Sequence, residues 1–382
     1  MPETHTDFAG RIAAEAYWED DTLADPAWRK VFDAVPRSAF APDDWFEWNG
    51  YGWDARHRAD NEQDWDEAVH AVTQPFITQV GDDNMPTCSL SAPMLVAAML
   101  GTLDLDDGMR VFESGTGTGW TAALMAARVG PAGLVVTVEY DPELAGIAVE
   151  NWHSSGVWDG LALVAFVGDG ESGRPALAPF DRVSATHSVR RIPAAWIAQT
   201  RPGGLVCAPL KIGQPDLDLY VQLRVGEDGT AEGRVRFPVD FMASRTSRPP
   251  APAKQAEDEK RCSVTDWNLP AVVAAKEAWP SRIAVPGLNV TGPLVEDGDD
   301  CMWLSLPDGS WAVAYVPQGA PWKDATVEQH GPQDVWSLAE DAWARWEAAD
   351  RPGINEYGLS VGRDETHTLW CRTPDNVVAV LN

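Results

Sequence analysis

Three glycines, Gly115, Gly117 and Gly119, stand in the run VFESGTGTGW between an apolar segment and an Ala-rich one. Glycine suits such a place because the backbone must turn tightly and pass close to a ligand with no Cβ in the way. Three acidic residues are spaced around this loop as a nucleoside carrying an amino acid would need them. Glu113 lies two residues before Gly115, Glu139 ends the next apolar run twenty residues beyond Gly119, and Asp169 follows the third run in VGDG. A carboxylate at the end of the second strand meets ribose hydroxyls in nucleotide-binding folds. An acidic group directly before the loop attracts an ammonium and repels a pyrophosphate. The spacing is also G-x-G-x-G, whereas the dinucleotide fingerprint is G-x-G-x-x-G. The pattern therefore predicts S-adenosylmethionine, in preference to NAD, as the cofactor. Gly115, Thr116, Gly117 and Gly119 are expected to cradle it, with Glu113 on its α-amino group, Glu139 and Tyr140 at its ribose, and Asp169 and Gly170 at its adenine.

Such residues meet only if strands and helices alternate, and from Ser91 onward they do. APMLVAAMLGTLDL reads as an apolar helix with Pro93 in its first turn, followed by MRVFES as a strand and TAALMAARVG as a helix closed by Gly130. LVVTVEY, LALVAFV, DRVSAT and LVCAPL read as further strands, with helices PELAGIAVENWHSSG and AAWIAQT among them. This alternation calls for a parallel sheet covered on both faces. Open sheets of this kind bind ligands beyond the carboxyl ends of their strands, where Thr186 and His187 follow the fourth strand. His187 is read either as a substrate contact or as a surface-loop histidine. Ser91 is read either as a plain helix N-cap or as a holder of a substrate carboxylate at the helix start.

The flanks are organised differently. Before the alternating region, Trp28, Val31, Phe32 and Val35 form a helical stripe ended by Pro36, and residues 50–85 are polar, acidic and irregular. After it, LDLYVQLRVGEDGTAEGRVRFPVDF predicts a hairpin turning at Asp-Gly, and a Pro/Ala/charge-rich linker follows. The expected division is 1–85, a helical and substrate-loop segment; 86–245, the α/β domain; 246–262, the linker; and 263–382, a separate α+β unit. LWCRTPDN echoes MWLSLPDG in that last unit, which suggests a small duplication. Trp303, Trp311, Trp336, Trp343 and Trp346 would form either a peptide-binding face or, for the last three at helical spacing, a buried stripe.

Composition narrows the classes. The 382 residues carry a formal charge of -29, which argues against a nucleic acid partner and favours cationic ligands. Five scattered cysteines include no CxxC and no Cys/His cluster, so no metal site is expected. No signal peptide or membrane-length apolar run is apparent, and the sequence reads as cytoplasmic.

Several ordered segments resemble the protein-L-isoaspartate O-methyltransferase family, from about Trp28 to Phe241. AVPRSAFAP resembles its "VPR-x-x-F-x-P" segment, SLSAPMLVAAML its "TIS-x-P" helix and VFESGTGTGW its "VLEIGTGSGY" loop. FDRVSAT, IPAAW and RPGGLVCAP resemble its "YDRI", "IP" and "KPGG" stretches. The resemblance implies a class I S-adenosylmethionine-dependent methyltransferase fold, Rossmann-like, that esterifies a side-chain carboxylate of a peptide. It places Ser91 at the family's active-site serine and Ser89, Thr186 and His187 near the substrate. There are departures: SLS stands for "TIS", Ser114 replaces an aliphatic residue, 50–85 holds no clear copy of the substrate loop, and residues after 262 are additional. That layout resembles enzymes acting on ribosomally made, modified peptides (lanthipeptides, lasso peptides, graspetides). It implies a pre-cyclised peptide partner whose aspartate is esterified and closes to aspartimide or isoaspartate, with general protein repair or a non-catalytic scaffold as alternatives.

Overall fold

The computed structural model describes residues 7–15, 21–156, 160, 162–213, 217–245, 260–274, 276 and 278–381, so most of the expected linker lies outside the described residues. The chain opens with helices α1 (Phe8–Ala14) and α2 (Pro26–Ala34), then strands β1 (Asp44–Trp48) and β2 (Trp53–His57), helix α3 (Glu62–Val69), and strands β3 (Phe76–Val80) and β4 (Pro86–Leu90). The alternating region follows: α4 (Pro93–Thr102), β5 (Arg110–Ser114), α5 (Trp120–Val129), β6 (Leu134–Glu139), α6 (Pro142–Ser154), β7 (Leu163–Val167), β8 (Phe180–Ala185), α7 (Ala194–Gln199), β9 (Thr200–Lys211), β10 (Asp218–Val225) and β11 (Ala231–Val239). The last part comprises β12 (Arg261–Thr265), α8 (Leu269–Ala274), α9 (Trp279–Ala284), β13 (Asn289–Glu296), β14 (Asp299–Ser305), β15 (Trp311–Pro317), β16 (Ala325–His330), α10 (Val335–Ala348), β17 (Tyr357–Val361), β18 (His367–Cys371) and β19 (Val377–Leu381).

The strands assemble into three sheets. The largest has ten, in the order β19-β18-β17-β11-β10-β9-β8-β5-β6-β7. Within it β7, β6, β5, β8 and β9 run parallel. The chain leaves β5 toward β6 on one side and returns as β8 on the other, which opens a crevice at the carboxyl ends. Val111, Phe112, Val135 and Val136 are buried because helices cover both faces of this part. This is the class I methyltransferase fold expected from the alternation, and the hairpin β10–β11 turns where Asp-Gly predicted.

Two expectations about the flanks need correction. Residues 50–85 are not irregular: they contribute to a four-stranded antiparallel sheet in the order β2-β1-β3-β4. Its outer strand Trp53–His57 is almost wholly solvated, so no alternation of buried and exposed side chains marks it. Nor do residues 263–382 form one separate unit. Strands β12 to β16 make a five-stranded sheet packed on α10, but β17 pairs antiparallel with β11 and carries β18 and β19 onto the main sheet. The physical reason is the edge of β11, whose free backbone groups and apolar face require a partner. Leu359, Leu369 and Leu381 enter the core that holds Val221, Val235 and, from α9, Ile283. The two echoed segments accordingly fall in different sheets, β14 and β18.

Deleting residues 357–382 should therefore uncover the β11 edge and its core and yield aggregated protein, read as loss of the monomer peak in size-exclusion chromatography of the soluble fraction. A folded, monomeric truncation would mean that the last three strands are an independent addition.

Candidate active site

The glycine loop leaves β5 in the conformation its composition predicts. Gly115, Gly117 and Gly119 have φ of 91°, 55° and 93°, a left-handed region that side chains disfavour. A Cβ on Gly115 would collide with Thr186 Oγ1, and one on Gly119 would stand 2.7 Å from Trp152 Nε1. The loop is tied down by Glu139, whose Oε2 accepts from Thr116 N at 3.0 Å and Gly117 N at 2.9 Å. Its Oε1 accepts from Asp141 N at 3.1 Å, at the start of α6. The carboxylate thus stands at the mouth of the crevice, beside Tyr140, Asp169 and Gly170. Asp169 is exposed and accepts from Glu171 N at 2.9 Å.

Glu113 is placed differently from its expected role. It is still inside β5, in register with Thr137 of β6, and does not line the cavity. One carboxyl oxygen accepts from Thr137 Oγ1 at 2.7 Å, and that hydroxyl in turn meets Thr116 Oγ1 at 2.7 Å. The other oxygen is buried without a hydrogen-bond partner. Full burial pushes the Glu113 carboxyl up to about 8, so it carries a proton at neutral pH. Glu113 reaches the cavity only through Thr137 and the loop residue Thr116.

The opposite wall comes from the β3–β4 hairpin, the start of α4 and residues 240–245, and one cavity of about 380 Å³ joins it to the glycine loop. Ser89, Ser91, Thr186 and His187 all line this space, as expected. Ser91 is not the N-cap: that position is Ala92, and no side chain caps the helix. Pro93 removes one of the orphan N–H groups, and Met94 N donates to the carbonyl of Val72 at 3.2 Å, so the Ser91 hydroxyl is free of capping. Thr186 Oγ1 donates to the Gly115 carbonyl at 2.6 Å. His187 Nε2 pairs with Ser114 Oγ at 2.7 Å, which gives a structural use to the serine that departs from the family pattern. Burial pulls the His187 pKa below its ordinary value and keeps the ring neutral.

Three further groups shape the site and carried no recognised signal in the sequence. Arg37 is buried and donates to the carbonyls of Val69, Leu90 at 2.9 Å and Ser91 at 3.1 Å, fixing the chain at the serine. Burial lowers its pKa to about 9, and its guanidinium lies 5.5 Å from the centre of the Trp120 ring. Arg245 lines the cavity and bridges its two walls, pairing with Asp141 Oδ2 at 3.2 Å and donating to Gln79 Oε1 at 2.8 Å. Behind His187, the buried Asp218 pairs with Lys211 Nζ at 2.8 Å, accepts from Ser188 Oγ and takes Phe241 N at 3.1 Å. That cluster fixes the 240–245 segment against the end of β8. The VPR motif contained Arg37, yet a residue that bonds only to carbonyls has no charged partner for sequence reading to find.

Comparison with known proteins agrees with this arrangement. Residues 18–245 match the family model described as protein-L-isoaspartate(D-aspartate) O-methyltransferase. The chain is 42% identical over 152 residues to protein-L-isoaspartate O-methyltransferase 1 of Archaeoglobus fulgidus, covering 39% of this chain and 67% of that protein. It is 39% identical over 132 residues to the enzyme of that name from Thermotoga maritima, covering 34% of this chain and 40% of the other. A solved protein-L-isoaspartate O-methyltransferase shares the fold with a TM-score of 0.51 at 19% identity, over 97% of this chain and 100% of that one. The sequence matches thus span about two fifths to two thirds of these relatives' own lengths.

Two measurements bear on the site. Gly115→Ala should abolish binding of S-adenosylhomocysteine in calorimetry, and retained affinity would remove the loop from the ligand site. The native state keeps the Glu113 proton up to about pH 8, while the unfolded chain loses it in the ordinary carboxyl range. Native stability should therefore fall as pH rises from about 5 to 8 and level off above. In Glu113→Gln that fall should be absent from urea-unfolding curves. An unchanged slope would place the proton elsewhere.

Proposed function

From the premise that this chain belongs to the protein-L-isoaspartate(D-aspartate) O-methyltransferase family, whose model spans residues 18–245, we propose that it is an S-adenosylmethionine-dependent carboxyl O-methyltransferase acting on an aspartate-derived side chain of a peptide. One observation carries this reading. The glycine cradle with Glu139 and the serine-bearing wall with Ser89 and Ser91 face a single cavity, which gives room for a nucleoside and a carboxylate side by side. The residues fit the cofactor: Gly117 leaves open the space a Cβ would fill, and the Glu139 carboxylate and the exposed Asp169 offer acceptors to hydroxyl and amino groups.

When bound, S-adenosylmethionine supplies a methyl group activated by the sulfonium. The chain's own task is mainly alignment. A substrate carboxylate is ionised well below neutral pH, with a pKa of about 4, and needs no base. Ser91 holds it through the hydroxyl left free of the helix. Arg245 is the one Lys or Arg lining the cavity among the described residues, and it offsets the repulsion that so acidic a protein exerts on an anion. Holding both reactants at contact distance in a partly closed space contributes most of the rate.

The finer reading is a dedicated peptide-tailoring enzyme. Its substrate would be an ordinary aspartate of a pre-cyclised ribosomal peptide; the methyl ester is then attacked by the next backbone amide, methanol leaves and an aspartimide forms. The described residues from 260 onward lie beyond the family match, and on this reading they are where such an enzyme recognises one peptide. General protein repair is the second reading, and the names of the relatives favour it. Mass spectrometry with S-adenosylmethionine separates them. Methylation of a cyclic peptide encoded beside the gene, followed by loss of methanol, with a linear isoaspartyl peptide left untouched, is the expected result. Methylation of the linear isoaspartyl peptide alone would return the protein to repair, and methylation of neither would overturn the enzymatic reading.

A further inference from the structure

Trp303, Trp311, Trp336, Trp343 and Trp346, singled out in the sequence, divide into two sets. Trp336, Trp343 and Trp346 lie on α10; Trp336 and Trp343 pack against Trp267, and Trp346 packs against Trp279. Trp336 and Trp343 belong to the core between α10 and one face of the five-stranded sheet. Trp303 and Trp311 lie on the opposite face, where β14 and β15 put Cys301, Trp303, Trp311, Val313 and Tyr315 in a separate cluster. A hollow of about 360 Å³ opens on this face, and every residue lining it comes from β13, β14, β15 and the turn between the last two.

The chemistry of that hollow is aromatic and acidic. The rings of Trp303 and Trp311 are 5.5 Å apart, and His330 stacks on Trp311 at 5.9 Å. Glu296 lines the hollow and accepts from Trp303 Nε1 at 3.2 Å; outside it, on the neighbouring strand β16, Glu328 accepts from the Tyr315 hydroxyl at 3.2 Å. From Leu294 to Asp308 the chain carries Glu296, Asp297, Asp299, Asp300 and Asp308 and no Lys or Arg. Charge complementarity points to a cationic ligand, with the nearly buried Trp311 indole supplying an aromatic face. The chain's own Lys260 shows what the face accepts: its ammonium lies 5.7 Å from the Trp311 ring centre and 3.1 Å from Glu328 Oε2. An ammonium or guanidinium held between an indole face and a carboxylate gains from both.

We propose that this outer face of the five-stranded sheet docks a lysine- or arginine-bearing segment of the same peptide whose carboxylate enters the active-site cavity. The proposal rests on the reading of the protein as a peptide carboxyl methyltransferase. It gives the acidic second sheet a task that the catalytic cavity does not need: raising the local concentration of one substrate by tethering it at a second point.

The test uses the full-length protein and whichever of the two peptides above it methylates, cyclic or linear isoaspartyl, joined by a Gly-Ser spacer to a tail of four lysines or four glutamates. Turnover is followed as S-adenosylhomocysteine release, and binding separately as fluorescence anisotropy of the labelled peptides. The lysine tail should lower KM about tenfold at physiological salt and leave kcat unchanged. Trp303→Ala, and Glu296→Gln combined with Glu328→Gln, should each erase that advantage without altering KM for the untailed peptide. Equal KM for both tails, or a lysine advantage that survives both variants, would overturn the proposal; the second result would assign the preference to the molecule's overall charge. If no peptide turns over, anisotropy still decides: Trp303-dependent binding of the lysine tail would keep the docking face and strike only the catalytic reading.

Discussion

The Glu139 carboxylate accepts hydrogen bonds from Thr116 and Gly117 on one side and from Asp141 on the other, joining the turn after β5 to the helix start after β6. Charge-assisted bonds of this kind are short and strong, and here they hold a loop that has almost no side chains of its own to anchor it. The rest of the site depends on that tether. Asp141, set by it, meets Arg245, and Arg245 meets Gln79 on the β3–β4 hairpin. Gln79 Nε2 also donates to Asp141 Oδ2 at 3.4 Å, so a network of polar contacts positions the far wall of the cavity against the near one.

Rigidity comes from burial behind this surface run. Arg37 brings three carbonyls together beneath Ser91, and Asp218 collects Lys211, Ser188 and Phe241 behind His187. Neither group touches the cavity space where reactants would meet. Both are charges removed from water, which persist only because every bonded neighbour is held in place. The chemistry asks for alignment and little else, and buried ionic clusters are a direct way to fix backbone at two points on one wall.

The sequence showed the parallel half of the fold well, because its strands are unbroken runs such as LVVTVE and its helices are Ala-rich and ended by glycine. Glu139, Thr186 and His187 were marked by the ends of the second and fourth strands, whereas Ser89 and Ser91 were marked by the resemblance of SLSAP to a family segment. Other features were not legible. Trp53–His57 pairs as a strand yet faces water on nearly every side chain, so its period is lost. The Ser91 cap was displaced by the carbonyl of Val72, a contact set by tertiary packing. Glu113 carried the right type at the right spacing, but pleating turned it toward Thr137 and away from the cavity. Local pattern marks β17, β18 and β19 as strands; which sheet they complete is decided by an edge more than 120 residues earlier.

That last pairing sets an order in time. Ala231–Arg234 of β11 waits for Gly358–Val361, so the catalytic half leaves the ribosome with one side of its sheet unfinished. At roughly 5–20 residues per second the missing strands arrive on the order of 10 s later, with a complete second sheet made in between. The main sheet is thus sealed only once residues 357–381 have been made, and a chain stopped before them keeps an open, adhesive edge. Proteases and chaperones therefore meet exposed backbone at β11 on every chain stopped short of β17, and none on a chain that has completed β19.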